Sequence, residues 1–268
     1  IKIMNRRSFV KSAVTASAAA LAGASAAHAA DGGNGERQYI ELRHWSIKTP
    51  EKNKVVLNFL KNAAIPSLKR AGIGRLGVFN HLPDKKYPEQ SHDVYTVAAF
   101  DSLEQWQSLG DHFANDGEFL EAGSDYLMTE QKDPAYERID SSLMIAFEGY
   151  PGLKKPRKSK DRIFELRRYE SRNEVMAKVK IDMFNNGELD IFKKVGLDGV
   201  FYGEMLIGAN MPNLTYMLGY DSMEERAKNF GAFSKHPDWN ELKNVEKYKG
   251  TVSHIDAMYL KPAPFSQI

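Results

Sequence analysis

IFELRRY at Ile163–Tyr169 and YIELRHW at Tyr39–Trp45 are two versions of one heptapeptide in the same chain. The copies lie 124 residues apart, and the same interval separates Gly72 from Gly196. Two further pairs recur in the same order: FDSLE (Phe100–Glu104) with YDSME (Tyr220–Glu224), and ERID (Glu137–Asp140) with SHID (Ser253–Asp256). Four landmarks that recur in the same order are the signature of duplication. The sequence therefore predicts two tandem units.

Alternation within the heptapeptide predicts a β-strand with two unlike faces, because successive strand side chains point to opposite sides. The aliphatic and aromatic face of each copy carries Ile40 and Leu42, or Phe164 and Leu166. The other face carries Glu41, Arg43 and Trp45, or Glu165, Arg167 and Tyr169. Two interpretations stay open. The charged face could be solvated and held by cross-strand ion pairs, or both faces could be covered, so that the charged pairs line a shared polar cavity.

The amino-acid composition excludes several classes of protein function. The chain has 268 residues, of which 42% are hydrophobic and 27% charged, which is enough for one large core or two ordinary ones. A formal net charge of +2 is too balanced to indicate binding to nucleic acid. The sequence has no cysteine, which excludes disulfides, thiolate nucleophiles and thiolate metal sites.

Residues 1–29 are predicted to be a twin-arginine export signal. Arg6 and Arg7 precede an alanine-rich, weakly hydrophobic run, and Ala27-His28-Ala29 fits a small-residue cleavage site. The run is too short to span a membrane, so we expect no stable membrane insertion after cleavage. We expect the mature protein to start near Ala30 and to reside in the periplasm or at the cell surface.

The rest of the chain divides into a first unit at 38–149, a basic linker rich in Pro and Gly at 150–160, and a second unit at 161–262. Each unit reads as strand, helix, strand, strand, helix, strand. The letters GIGRLG at Gly72–Gly77 match a dinucleotide-binding fingerprint, but here a helix precedes the glycines and a strand follows them. That order is the reverse of what nucleotide binding needs, so we interpret the glycines as a helix stop and a turn.

This element order predicts an α+β fold of two tandem ferredoxin-like units. Each unit would have a four-stranded antiparallel sheet with helices on one face. The open face of one sheet needs a cover, and the other copy can supply it. We therefore expect the two antiparallel sheets to face each other as an α+β barrel, with Glu41, Arg43, Glu165 and Arg167 pointing into the space between them.

At this point the sequence resembles the NIPSNAP family of the dimeric α+β barrel superfamily. The resemblance rests on Phe164–Tyr169, on Tyr220-Asp221-Ser222 and on FSKHPDW at Phe233–Trp239. The first half has DGEF where the second has HPDW, which predicts a single working site in the second half. Relatives in the superfamily include cofactor-free monooxygenases, haem-binding or haem-degrading proteins and isomerases. The resemblance thus implies a ligand cavity more directly than any one reaction.

The predicted site gathers polar residues near the repeated strand. The catalytic candidates are Glu165, Arg167 and His236, and the ligand-binding candidates are Glu41, Arg43, Tyr169, Glu204, Trp239, His254 and Asp256. A carboxylate beside an arginine or histidine could act as a general base, and aromatic walls could hold a flat ligand. The alternative is that the charged residues are structural ion pairs. His236 could equally be a helix cap, with Trp239 in the core, or a haem ligand if it faces the lumen.

No metal-binding spacing and no phosphate loop occur in the sequence. We therefore predict no metal and no tightly bound cofactor, with haem left open. Two function hypotheses remain. The first is an exported protein that binds a small organic molecule in a polar cavity between the sheets, as a cofactor-independent, monooxygenase-like or isomerase-like enzyme. The second is a non-enzymatic binding or scaffold protein. Assembly into a homo-oligomer stays open.

Overall fold

A computed structural model describes residues 36–89, 91–154 and 159–268. The predicted export signal at 1–29 lies outside the described residues, as does the central part of the predicted linker.

Eight strands form one closed antiparallel barrel with the neighbour order β1-β3-β2-β8-β5-β7-β6-β4. The strands are β1 (Tyr39–Ser46), β2 (Leu76–Leu82), β3 (Val94–Phe100), β4 (Arg138–Ala146), β5 (Ile163–Glu170), β6 (Asp198–Ile207), β7 (Asn213–Tyr220) and β8 (His254–Pro262). The predicted α+β barrel is confirmed.

Each half contributes a four-stranded sheet with the same internal order, β4-β1-β3-β2 in the first half and β8-β5-β7-β6 in the second. Two seams join the sheets. At one seam β2 pairs with β8, and at the other β4 pairs with β6. The two sheets are therefore joined edge to edge by strand pairing instead of only stacking face to face. No strand of the barrel has an open edge.

The helices lie outside the barrel. They are α1 (Pro50–Phe59), α2 (Ile65–Arg70), α3 (Leu103–Gln107), α4 (Leu109–Asn115), α5 (Gly117–Ala122), α6 (Ser124–Leu127), α7 (Glu174–Met183), α8 (Leu189–Lys194), α9 (Met223–Lys235) and α10 (Pro237–Leu242), with a 3₁₀ turn at Glu246–Tyr248. Ser102 and Ser222 cap α3 and α9 by accepting hydrogen bonds from backbone N–H groups three residues on. Among the described residues, no helix has the length and apolarity needed to cross a membrane.

Gly72 and Gly196 end the first helical region of each half in the same way. Their φ angles are 79° and 75°, in the left-handed region that glycine enters without a steric penalty. In the first half Gly72 N donates to Lys69 O and Ile73 N to Leu68 O, and the second half repeats both bonds with the equivalent residues. This is the Schellman ending of a helix. The interpretation of these glycines as helix stops is confirmed.

The same helical regions each contain a π-helical turn, at Leu60–Ala64 between α1 and α2 and at Phe184–Glu188 between α7 and α8. Pro66 lies two residues after the first of these turns, and a proline within a helix can distort it. The second half has the same turn at the same interval without a proline, so Pro66 is not its cause. Turns of this kind often mark functional sites.

Three apolar clusters fill the molecule, and their composition overturns one prediction. The barrel lumen is packed with side chains from both halves, among them Ile40, Phe79, Phe164, Leu166 and Met217. Separate clusters lie between each sheet and its helices, and they contain Trp45 and Tyr169 from the charged faces of β1 and β5. Since side chains alternate along a strand, the charged faces point to the helices, not into the lumen. An eight-stranded barrel has just enough interior for side chains to fill, and apolar side chains of the described residues occupy the middle of this one.

Candidate functional site

A cavity of about 130 Å³ lies between the sheet and the helices of the first half. Six aromatic residues line it: Trp45, Phe59, Phe100, Phe113, Phe119 and Tyr126. Small side chains at Ala64, Thr96 and Ala98 leave the space open, and Glu41 and Arg43 form a polar part of its wall. It thus combines an apolar, aromatic interior with one pair of opposite charges.

The Glu41 carboxylate is buried, and its two oxygens have different surroundings. Its Oε1 atom accepts hydrogen bonds from Trp106 Nε1 at 3.1 Å and from Ser141 Oγ at 2.7 Å. Its Oε2 atom lies 3.0 Å from Arg43 Nε, while 36% of the Arg43 side chain is exposed. The arginine therefore stands where the cavity meets solvent, with the carboxylate behind it.

The aromatic walls hold one another in place. Phe59 stacks on Tyr126 with ring centroids 3.9 Å apart and meets Phe119 edge-on at 5.5 Å. Trp45 Nε1 donates to the Tyr126 hydroxyl at 3.3 Å. Burial raises the pKa of Tyr126 to about 12, so its hydroxyl is neutral at physiological pH. These contacts make the cavity a preformed aromatic pocket.

Tyr216 occupies the equivalent space in the second half. Arg43 pairs across the sheet with Thr96, and Arg167 pairs with Tyr216. Tyr216 is completely buried, and its hydroxyl bonds that of Tyr169 at 2.8 Å. A phenol ring thus stands where the first half has a threonine.

Larger groups replace small ones on the helix side as well. The first π-helical turn begins with Leu60 and ends with Ala64, whereas the second begins with Phe184 and ends with Glu188. Lys180 Nζ binds Glu188 Oε2 at 2.6 Å, and both side chains are almost fully buried. Burial raises the pKa of Glu188, and the neighbouring Lys180 offsets this only in part. The buried pair packs the interior of the second half.

Glu165 and Arg167, both catalytic candidates, belong to this packed interior. Arg226 clamps the Glu165 carboxylate with two hydrogen bonds of 3.0 and 2.8 Å, Arg167 Nη1 donates to the same carboxylate, and the Tyr220 hydroxyl donates at 3.3 Å. Arg226 and Trp106 correspond, since each follows its helix-capping serine by four residues. The second half thus has mutually paired charges in a filled interior. This arrangement matches the alternative in which these charged residues are structural ion pairs.

The other predicted site residues lie in separate places. His236 caps α10 by accepting a hydrogen bond from Asp238 N, as Asp116 caps α5 in the first half. Trp239 packs on Phe233, with ring centroids 4.5 Å apart, and belongs to the second-half core. The cap and core interpretation therefore describes both residues of the HPDW motif, and His236 does not face the lumen.

Glu204, His254 and Asp256 are also apart from the Glu165 network. Glu204 forms an ion pair with Lys178 of α7, and His254 is exposed at the start of β8. Asp256 lies at one end of the lumen, where it accepts hydrogen bonds from Lys86, from the Tyr87 hydroxyl at 2.7 Å and from Arg168 Nη2 at 3.3 Å. The structure does not gather the predicted second-half residues into one site.

A second group of polar residues, missed by the sequence analysis, lies at this polar end of the lumen beside a groove of about 370 Å³. His44 stacks on Tyr95 with centroids 4.5 Å apart and lies 2.9 Å from Asp93 Oδ2. Burial would raise the pKa of Asp93, but the hydrogen bonds from His44 and Ile47 N lower it overall. The sequence did contain a signal for this group, because alternation places His44 on the otherwise aliphatic face of β1. In the described part of the chain no group of three or more His, Asp or Glu residues could hold a metal ion.

Thr96, Trp106 and Tyr126 are the first-half residues that the sequence analysis overlooked. Thr96 and Tyr216 could have been compared through the matching FDSLE and YDSME motifs. That comparison would have shown which half has the smaller side chains, although not that the difference opens a cavity.

Together, the barrel and the outer helices define an α+β barrel protein, and the aromatic cavity beneath the first-half helices is its candidate site. The sequence model of the NIPSNAP family matches residues 164–267. The second half is therefore similar to the NIPSNAP family, which confirms the predicted resemblance.

Solved structures of similar fold include two predicted monooxygenases. One, from Lactobacillus acidophilus, is 14% identical, with a TM-score of 0.53 over 85% of this chain and 94% of its own. The other, from Fusobacterium nucleatum, is 8% identical, with a TM-score of 0.54 over 85% and 93%. An uncharacterised NIPSNAP-like protein from Burkholderia xenovorans is 22% identical over 40% of this chain and 90% of its own, with a TM-score of 0.37. No curated protein matches the chain significantly.

Proposed function

We propose that the protein binds a small aromatic molecule in the cavity between the sheet and the helices of the first half. The observation that carries the proposal is that this space is open and lined by aromatic rings, whereas Tyr216 and the Lys180–Glu188 pair fill the same space in the second half. Apolar cavities of about 150 Å³ accept benzene. A cavity of about 130 Å³ therefore suits a single-ring ligand.

Glu41 gives this site a capacity for proton transfer. A buried carboxylate beside an arginine can accept a proton from a bound ligand, and the arginine can stabilise the anion that remains. Proton removal is a first step open to both cofactor-independent oxygenation and isomerisation. The likeness in fold to the predicted monooxygenases fits this chemistry, but it supports the fold alone. The alternative, a binding protein without catalysis, uses the same cavity.

We also propose that the two halves arose by duplication and that the protein is exported. The matched positions of the helix-ending glycines and of the π-helical turns support the first part. The paired arginines and the cleavage pattern within residues 1–29 support the second.

Filling the cavity tests the proposal. Toluene, titrated into the full chain, should bind saturably and change the tryptophan fluorescence, because Trp45 lines the cavity. Thr96→Tyr copies the residue that fills the second half, and it should abolish this binding. Thr96→Val keeps the size of the side chain and serves as the control that still binds. The proposal fails if wild-type protein binds no single-ring aromatic, or if Thr96→Tyr binds as well as wild type while its circular dichroism is unchanged.

A further inference from the structure

We infer that the natural ligand of the first-half cavity is an aromatic carboxylate, held through its carboxylate by the outer edge of the Arg43 guanidinium. This inference rests on the proposed function and adds the chemical class of the ligand.

The first step concerns which donors of Arg43 are in use. A guanidinium has five N–H donors, one on Nε and two on each Nη atom. Arg43 Nε faces the Glu41 carboxylate at 3.0 Å. Within the described residues, neither Nη atom of Arg43 has a hydrogen-bond partner. Two parallel N–H groups are thus available on the edge that points away from Glu41.

Comparison with the second half shows that this availability is particular to Arg43. Arg167 Nη1 donates to Glu165 and Nη2 donates to the Tyr169 hydroxyl at 3.2 Å. Its side chain is 12% exposed, against 36% for Arg43. The residue corresponding to Tyr169 in the first half is Trp45, which has no acceptor oxygen and gives its own N–H to Tyr126. The first half therefore leaves the outer guanidinium edge without the partner that satisfies it in the second.

The second step concerns the ligand group that fits. A planar guanidinium edge with two parallel donors matches a carboxylate, which accepts both bonds at once. Glu41 does not compete for this edge, since its Oε1 atom already accepts from Trp106 and Ser141 and its Oε2 atom faces Arg43 Nε. With a carboxylate placed at the mouth of the cavity, the attached ring would extend into the aromatic interior. The cavity volume leaves room for about one aromatic ring.

A series of matched ligands separates this inference from the proposed function. Benzoate, benzamide and toluene share one ring and differ in the group that would face Arg43. We expect benzoate to bind more tightly than benzamide, and benzamide more tightly than toluene. Arg43→Gln should weaken benzoate binding roughly ten- to a hundredfold, the range for a hydrogen-bonded charged pair, and leave toluene binding within about twofold.

Two further variants serve as controls for the Arg43→Gln result. Arg43→Lys keeps the charge but loses the planar fork, so it should bind benzoate with an affinity between those of wild type and Arg43→Gln. Arg138→Gln removes an exposed arginine of the same half, whose one side-chain hydrogen bond within the described residues goes to the Glu137 backbone, and it should change nothing. Toluene binding as tight as benzoate binding, or equal benzoate affinities in wild type and Arg43→Gln, would overturn the inference and leave the proposed function intact. Failure of all three ligands to bind would overturn both.

Discussion

Glu41 and Glu165 are the same residue type at corresponding positions, yet they are neutralised in different ways. The Glu165 carboxylate forms ion pairs with two arginines, and its own side chain is only 1% exposed. The Glu41 carboxylate forms an ion pair with one arginine, Arg43, whose side chain is partly exposed to solvent. A cation that loses its partner in a dry interior cannot be rehydrated, whereas one at a cavity opening can. The two glutamates should therefore respond differently to the same substitution.

We predict that Glu165→Gln lowers the free energy of unfolding by about 3–5 kcal/mol, because it leaves the largely buried Arg167 without a counter-ion and removes the carboxylate that half-buried Arg226 clamps. The matched change, Glu41→Gln, should cost only about 1–2 kcal/mol, since water can solvate Arg43 and an amide oxygen can still accept from Trp106 and Ser141. Urea unfolding followed by circular dichroism measures both values. Equal losses in the two variants would show that Arg43 depends on its carboxylate as much as the second-half pair does.

The helices and strands show what the sequence predicts well and where it stops. The ends of the first helical regions followed from Gly72 and Gly196, because few other residues tolerate a left-handed backbone. Alternation along β1 and β5 correctly told which side chains share a face. It could not tell which layer covers each face, since both faces of this barrel are covered. The charged residues were therefore assigned to the lumen, when they face the helices.

The left-handed helix endings lead to a prediction for α2. Gly72→Ala should lower the free energy of unfolding by about 1–2 kcal/mol, the cost of a left-handed backbone for a residue with a Cβ atom. Steric crowding adds little, because the nearest atom to that Cβ would be Gln105 Nε2 at 3.9 Å. Gly74→Ala is the matched control, as Gly74 has neither a positive φ nor an atom within 4 Å of a Cβ. Chemical denaturation of both variants decides the matter, and equal stabilities would contradict the role given to the backbone angle.

At the scale of the whole molecule, duplication and facing sheets could be inferred from the repeat, but the division of labour between the halves could not. The sequence motif HPDW pointed to the second half as the working one. Its histidine caps a helix and its tryptophan packs in the core. What opens the first half is a set of smaller side chains at Ala64 and Thr96, and their effect depends on the strand register and on the placement of the π-helical turn. Neither can be read from residue types alone.

Barrel closure makes each half dependent on the other. The second half alone would expose its lumen-facing side chains, among them Phe164, Leu166, Met217 and Leu260, together with the unpaired edges of β6 and β8. Exposed apolar faces and open strand edges drive association. A second copy of the same half offers equivalent edges and an equivalent apolar face, so two copies can close a barrel like the one in the intact chain.

We therefore predict that a fragment of residues 159–268 forms a dimer, and that adding a fragment of residues 36–154 converts it into a one-to-one complex. Light scattering coupled to size-exclusion chromatography measures the masses, with the intact chain run alongside. Because the cavity lies within the first half, the mixed complex should also recover toluene binding, whereas the 159–268 dimer should bind none. A second-half fragment that stays folded and monomeric would contradict the argument, since its lumen face would then be stable in water without a partner sheet.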